Sequence, residues 1–271
     1  MRTSCDIDIL VHEDDAERAA SFLVDKLEYT RQGKSAHDIS LYSPNKNHIE
    51  LHYDLLEDDY ANSASEVLRK VWETAYLCDG YQYKYAMPDE MLYFYHIAHM
   101  AKHFIEGGCG IRPFIDLWIL DRLEDADHDR RNDLLEKGNL LQFATVAQKL
   151  SRVWFEYESH DDVSAQMEHY ILLGGVYGTT ENRVKVQQQK KGGKFKFLCS
   201  RIFMPYEELK FKYPILQKHK WLTPIMEIRR WFNLLKPSAM KRSLREAKMT
   251  TNVSTDQAQS TEAFLNNIGL K

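Results

Sequence analysis

An α+β fold, a small mixed sheet followed by a helical body, is what the sequence predicts for this 271-residue chain. Three observations carry the prediction. The run Cys5-Asp6-Ile7-Asp8-Ile9-Leu10-Val11 alternates acid with isoleucine and leads into an acidic helix start. Two further alternating runs, Asp38-Ile39-Ser40-Leu41-Tyr42 and His48-Ile49-Glu50-Leu51-His52-Tyr53, flank the turn Ser43-Pro44-Asn45-Lys46-Asn47. Beyond residue 60 the apolar spacing changes to the helical period.

The first run reads as a strand whose two aspartates share one face, because strand side chains alternate. Glu13-Asp14-Asp15 then suits the positive end of a helix, with Ala16, Ala19, Ala20, Leu23 and Leu27 at helical spacing behind it. The two later runs and the Pro-Asn turn between them form a hairpin. Helical periods follow over residues 62–77, 88–106, 112–123, 131–150 and 160–172. Residues 172–180 carry turn chemistry, and the Gln-Lys-Gly segment 187–194 reads as a basic linker. Aromatic content returns from Phe195 to Leu235, while the Thr, Ser, Gln and Asn-rich stretch after residue 248 is expected to be disordered. The resulting organisation is a sheet region over residues 1–86, a helical region over 87–182, a basic aromatic region over 183–247 and a tail over 248–271.

Cys5, Cys78, Cys109 and Cys199 are scattered without a CxxC pair, which excludes a disulfide scaffold or zinc ribbon and makes a reduced, cytoplasmic compartment the expectation. No stretch reaches the roughly 18 apolar residues of a membrane helix. The formal net charge of -4 conceals an asymmetry, since residues 1–180 hold 17 Lys and Arg against 33 Asp and Glu, and residues 181–271 hold 19 against 7. Two solvated, mutually attractive surfaces explain it; phosphate-binding charge from the basic third is the alternative.

Asp6-Ile7-Asp8 is the most specific feature. Two carboxylates at i and i+2 on one strand face repel without a cation, and a divalent metal is their natural partner. Mg2+ fits, because it prefers oxygen and often takes one or two carboxylates plus substrate phosphates. Glu50 adds a third acid, on the polar face of its strand with His48 and His52. If the two strands lie close, three acids converge as metal-assisted phosphoryl transfer requires. An exposed strand face is the other reading of the Asp-x-Asp pattern.

The Arg2-to-Val11 run, the His48-Ile49-Glu50-Leu51-His52 strand and the later His-rich helix resemble the bacterial uncharacterised nucleotidyltransferase family of the polymerase-beta-type superfamily. Gly175-Val176-Tyr177-Gly178 and the segment from Phe203-Met204-Pro205 to Tyr213-Pro214 are similar to it as well. The resemblance implies a small mixed sheet with Asp6 and Asp8 as metal ligands and Glu50 as the third acid. It implies transfer of a nucleotidyl group from an NTP to a hydroxyl acceptor, with Mg2+ as cofactor and Mn2+ as its substitute. Superfamily members also carry a Gly-Ser turn about ten residues before the aspartates, where helix N–H groups hold the triphosphate. Only five residues precede Asp6 here. The expectation is therefore either coding sequence upstream or a chain that does not hold an NTP in the usual way.

Residues 89–106 read as a helix with Pro88 at its start and Gly107-Gly108 at its end. His96, His99 and His103 fall within about 60° of one another, away from the stripe of Phe94, Ile97, Ala101 and Phe104. Three readings compete: a polar outer face, a cleft wall that binds substrate phosphate or sugar through His99 and His103 as the resemblance favours, and a zinc hydrolase site. His99 and His103 have the i, i+4 spacing of two zinc ligands, but the Glu of an HExxH motif is missing. Arg112 and Asp116 lie four apart on the next helix, where a salt bridge is the plain reading. The resemblance also places matching Arg and Asp there, so Arg112 and His52 join the substrate-binding set and Asp116 supports it from behind.

Function then divides three ways: a Mg2+-dependent nucleotidyltransferase, a catalytically silent relative that acts by interaction or regulation, and a His-ligated metallohydrolase. Partners follow as an NTP and an acceptor that is a sugar, a small molecule, a protein side chain or nucleic acid, with no membrane. Nucleic acid is the less favoured acceptor, because five lysines in a Gln/Gly linker form no reader motif. Oligomeric state is left open.

Overall fold

Strand β1, Asp6–Leu10, is the first element of the computed structural model, which describes residues 6–56, 63–174, 203–234 and 255–270. It is followed by α1 (Glu13–Leu27), β2 (Thr30–Lys34), β3 (Asp38–Tyr42) and β4 (His48–His52). These strands form one sheet in the order β1-β4-β3-β2, with β1 parallel to β4 and the other pairs antiparallel. A parallel pair cannot be closed by a tight turn. Here α1, β2 and β3 supply the crossover.

α1 opens with Glu13, Asp14 and Asp15 at its positive end and closes at Glu28 in the left-handed region (φ 57), whose N–H donates to the Leu23 carbonyl. Its small Ala16 and Ala20 let the helix approach Ile39, Leu41, Ile49 and Leu51, all buried on one face of the sheet. Apolar burial therefore claims every second residue of β3 and β4. The alternate residues, polar and histidine-rich, are left on the other face.

The expected hairpin is present as β3 and β4, but β2 was absent from the sequence reading. Thr30-Arg31-Gln32-Gly33-Lys34 has no apolar residue to mark it. It is held by ladder bonds to β3 and by Glu17 of α1, which accepts from Arg31 Nη1 at 2.8 Å and Lys34 Nζ at 2.8 Å. Hydrogen bonds from Arg31 and Lys34 hold the Glu17 carboxyl down at about 2. A lowered folded pKa contributes stability above the ordinary value of 4.5 that is lost as pH falls toward 2. Glu17 is half exposed, so the effect is expected to stay below about 1 kcal/mol. Urea melts of Glu17→Gln across that window should show a flatter acid limb than wild type.

The chain divides into two compact units, Met1–Asp59 and Tyr60–Lys271. In the second, the described helices are α2 (Ala64–Leu68), α3 (Val71–Thr74), α4 (Asp89–Ile105), α5 (Arg112–Leu120), α6 (His128–Lys137), α7 (Leu141–Glu156) and α8 (Asp162–Gly174). Next come α9 (Tyr206–Lys212), α10 (Ile215–Lys218), a 3-10 turn (Lys220–Leu222), α11 (Thr223–Leu234) and α12 (Thr255–Asn267). A small sheet followed by a helical body is thus the architecture, and the protein is α+β.

Three segments differ from expectation. The helix expected over 62–77 is broken into α2 and α3 by a turn at Arg69 and Lys70, and its last residues, Tyr76–Leu77, pair instead with Tyr85–Ala86 as a short ribbon, β5 and β6. The helix expected over 131–150 is two helices, α6 and α7, separated by Gly138 and a left-handed Asn139 (φ 54). The stretch expected to be a disordered tail contains α12, followed by a turn; Leu265, Ile268 and Leu270 are buried, Phe264 meets the Tyr170 ring at 5.1 Å, and Gln142 Nε2 donates to the Asn267 carbonyl. Four clustered apolar residues suffice to dock it despite the polar composition around them. Of the turn expected over 172–180, residues 172–174 still belong to α8, while the rest of it, the basic linker at 187–194 and the Gly175-to-Gly178 similarity lie outside the described residues.

The helical core is built on aromatic packing, with Phe104 edge-on to Phe143 at 5.2 Å and to Phe114 at 6.4 Å. Gly138 belongs to this packing by what it lacks. A Cβ there would sit 2.5 Å from Cε2 and Cζ of Phe94, a fully buried ring. Gly138→Ala should therefore destabilise the protein by about 1–3 kcal/mol through overpacking, read as a lower urea midpoint. Among the described residues no helix is long and apolar enough to cross a membrane.

Candidate metal centre

The parallel register sets Asp6 opposite His48, Asp8 opposite Glu50 and Leu10 opposite His52. On the other side of β4, the antiparallel register sets Tyr42 opposite His48, Ser40 opposite Glu50 and Asp38 opposite His52. Because Ile49 and Leu51 point at α1, His48, Glu50 and His52 point the other way. The hydrophobic pattern of β4 thus decides where the chemistry lies.

Asp8 is exposed at the sheet edge, whereas the imidazoles of His48 and His52 and the carboxylate of Glu50 are largely covered. His52 Nε2 lies 3.5 Å from Asp8 Oδ1 and 3.4 Å from Glu50 Oε2. His48 Nε2 lies 3.6 Å from Glu50 Oε1, but it also lies 2.7 Å from Ser40 Oγ, and its ring stacks on Tyr42 at 4.5 Å. Two overlapping groups result, Asp6 with His48 and Glu50, and Asp8 with Glu50 and His52, each with its ligand atoms within 4.8 Å of one another. Oxygen and neutral imidazole donors at that spacing fit a divalent cation. Glu50 is common to both groups.

Burial of His52 disfavours its charged form, but the hydrogen bond and charge of Asp8, with Asp38 and Glu50 behind it, outweigh that and raise its pKa above the ordinary 6.5. A raised folded pKa contributes stability that is complete below 6.5 and lost as pH rises through the folded value. In the metal-free protein, NMR titration is expected to find His52 protonated at pH values where a free histidine is neutral. Its Nδ1 is buried and makes no hydrogen bond among the described residues.

Asp6, Asp8, Glu50 and His52 are therefore brought together. His48 shares the polar face with Glu50, as alternation predicts, and the structure adds it to the group as a further metal-capable side chain. Ser40 was not anticipated, since only the β3 register brings it alongside.

The remaining candidates belong to the second unit. His99 and His103 sit on α4 with their rings edge-on at 4.5 Å, and Tyr95 stacks on His99 at 5.8 Å. Burial, with Lys102 adding to it against Glu106, lowers the His103 pKa. His96 Nε2 donates to the Pro113 carbonyl at 2.8 Å, tying α4 to the start of α5. Arg112 is exposed at the first turn of α5 and Asp116 is half-buried one turn on. Among the described residues, the α4 histidines contribute to no group of three metal-capable side chains.

Fold and site together define an α+β protein with a carboxylate and imidazole centre on the polar face of a small mixed sheet. The sequence profile of the family described as "Uncharacterised nucleotidyltransferase" matches residues 1–156. The chain belongs to that family, which gives it a general nucleotidyltransferase role. No curated protein and no solved structure matches the chain.

Proposed function

We propose that the chain transfers a nucleotidyl group from an NTP to a hydroxyl acceptor, using Mg2+ held by Asp6, Asp8 and Glu50. The observation that carries this is the parallel pairing of Asp8 with Glu50, which gathers the three acids on one sheet face. In the reaction the acceptor oxygen bonds to the α-phosphorus, the bond from that phosphorus to the β-phosphate oxygen breaks, and pyrophosphate leaves. The acceptor proton passes to a carboxylate of the centre. When bound, the cation neutralises phosphate charge. His52, covered beside Glu50, is placed to meet a phosphate oxygen. No step is assigned to His99, His103, Arg112 and Asp116, which belong to the second unit.

Calorimetry of the full chain with Mg2+ and each NTP tests the proposal. Nucleotide binding that needs Mg2+, with pyrophosphate released when a cell extract supplies acceptors, is the expected result. Wild-type protein that binds no NTP under any divalent ion sinks it.

A further inference from the structure

The centre contains nitrogen that Mg2+ does not need. Mg2+ takes oxygen ligands and water, whereas imidazole suits the borderline transition ions. The two overlapping groups are not equivalent in this respect. In the first, His48 Nε2 is engaged by Ser40 Oγ at 2.7 Å and its ring is pinned against Tyr42. In the second, His52 Nε2 faces two carboxylate oxygens from different strands, Asp8 Oδ1 at 3.5 Å and Glu50 Oε2 at 3.4 Å.

The three donors come from two register-locked strands, so the spacing does not depend on a loop.

We infer that Asp8, Glu50 and His52 form a mixed oxygen and nitrogen site for a divalent transition ion, Zn2+ or Co2+ by preference and Mn2+ as a probe, with His52 Nε2 as a ligand. The inference rests on the reading of this face as a metal centre, changes which ion it selects and makes His52 Nε2 a ligand of that ion in place of a phosphate-binding group. Three protein ligands leave positions open for water or a phosphate oxygen.

The test uses the full chain, stripped with a chelator. Mn2+ bound to wild type is examined by electron spin-echo spectroscopy, and Co2+ is titrated by its visible absorption. Nitrogen hyperfine coupling to bound Mn2+ is expected. His52→Ala should weaken Co2+ binding by more than about 100-fold, since even an outer-shell partner is worth 10–100-fold. Mg2+ affinity should change by less than about threefold, because Mg2+ draws on the carboxylates. His48→Ala should leave the nitrogen coupling in place. Mn2+ bound without nitrogen coupling in wild type overturns the inference, and so does Co2+ affinity that His52→Ala leaves unchanged. If NTP and Mg2+ still bind in that case, nucleotidyl transfer survives alone. Nitrogen-coupled ion binding without NTP binding supports this inference and removes the transfer proposal, while failure to bind any divalent ion removes both.

Discussion

Asp8→Asn should lower NTP-dependent pyrophosphate release by about 1000-fold or more while leaving the protein folded. Loss of several kcal/mol of metal-borne charge stabilisation, at about 1.4 kcal/mol per decade, sets that size. The fold should not suffer, because the Asp8 side chain is half exposed on an edge strand, and relief of repulsion from Glu50 opposite offsets the lost pairing with His52. Thermal denaturation is therefore expected to show a nearly unchanged Tm beside the lost turnover. An equal fall in both would assign Asp8 a structural role instead.

The largest effect on stability is expected in the second unit, at Arg131. Its guanidinium is 2% exposed and forks onto both carboxylate oxygens of Asp89, with Nε 2.7 Å from Oδ2. Nη1 donates to the Leu120 carbonyl at 3.0 Å, and the group lies 4.3 Å over the Tyr93 ring. The Tyr93 hydroxyl is itself tied to Asp121 and Gln148, and burial raises its pKa. Arg131→Ala leaves Asp89 uncompensated, the Leu120 carbonyl unpaired and a void under Tyr93. About 3 kcal/mol or more should be lost, measured as urea unfolding free energy. Arg131→Lys should recover little of it, because an ammonium cannot satisfy a fork, a carbonyl and a ring face together.

How far the sequence could be read depended on periodicity. β1, β3, β4 and α4 each present a clean alternation or a helical stripe bounded by Pro, Gly or acid, and each lies within a residue or two of expectation. β2 was invisible because its stabilising partners, Glu17 and the β3 backbone, are nowhere in its own five residues. α6 and α7 merged because a break of Gly138 and Asn139 interrupts neither apolar period enough to show. α12 was hidden by composition, since its anchors sit at the far end of a polar segment. At the site, Asp6, Asp8, Glu50 and His52 could be named from alternation alone. The register could not, and it is the register that separates His52, aimed between two carboxylates, from His48, held by Ser40.

β1 carries two of the three acids, yet it is one of the two exposed edge strands of its sheet. Ile7 and Ile9 are 51% and 40% exposed, whereas Ile49 and Leu51 beside them are 8% and 2%. The α1 core would survive if β1 peeled away. Dismantling the centre thus requires only local opening, well below the free energy of global unfolding. Amide protons of β1 should exchange with solvent ahead of those of β3. A bound cation, present only while Asp8 and Glu50 face each other, should slow that exchange in proportion to its occupancy. Binding of the proposed cation would in that sense close the sheet.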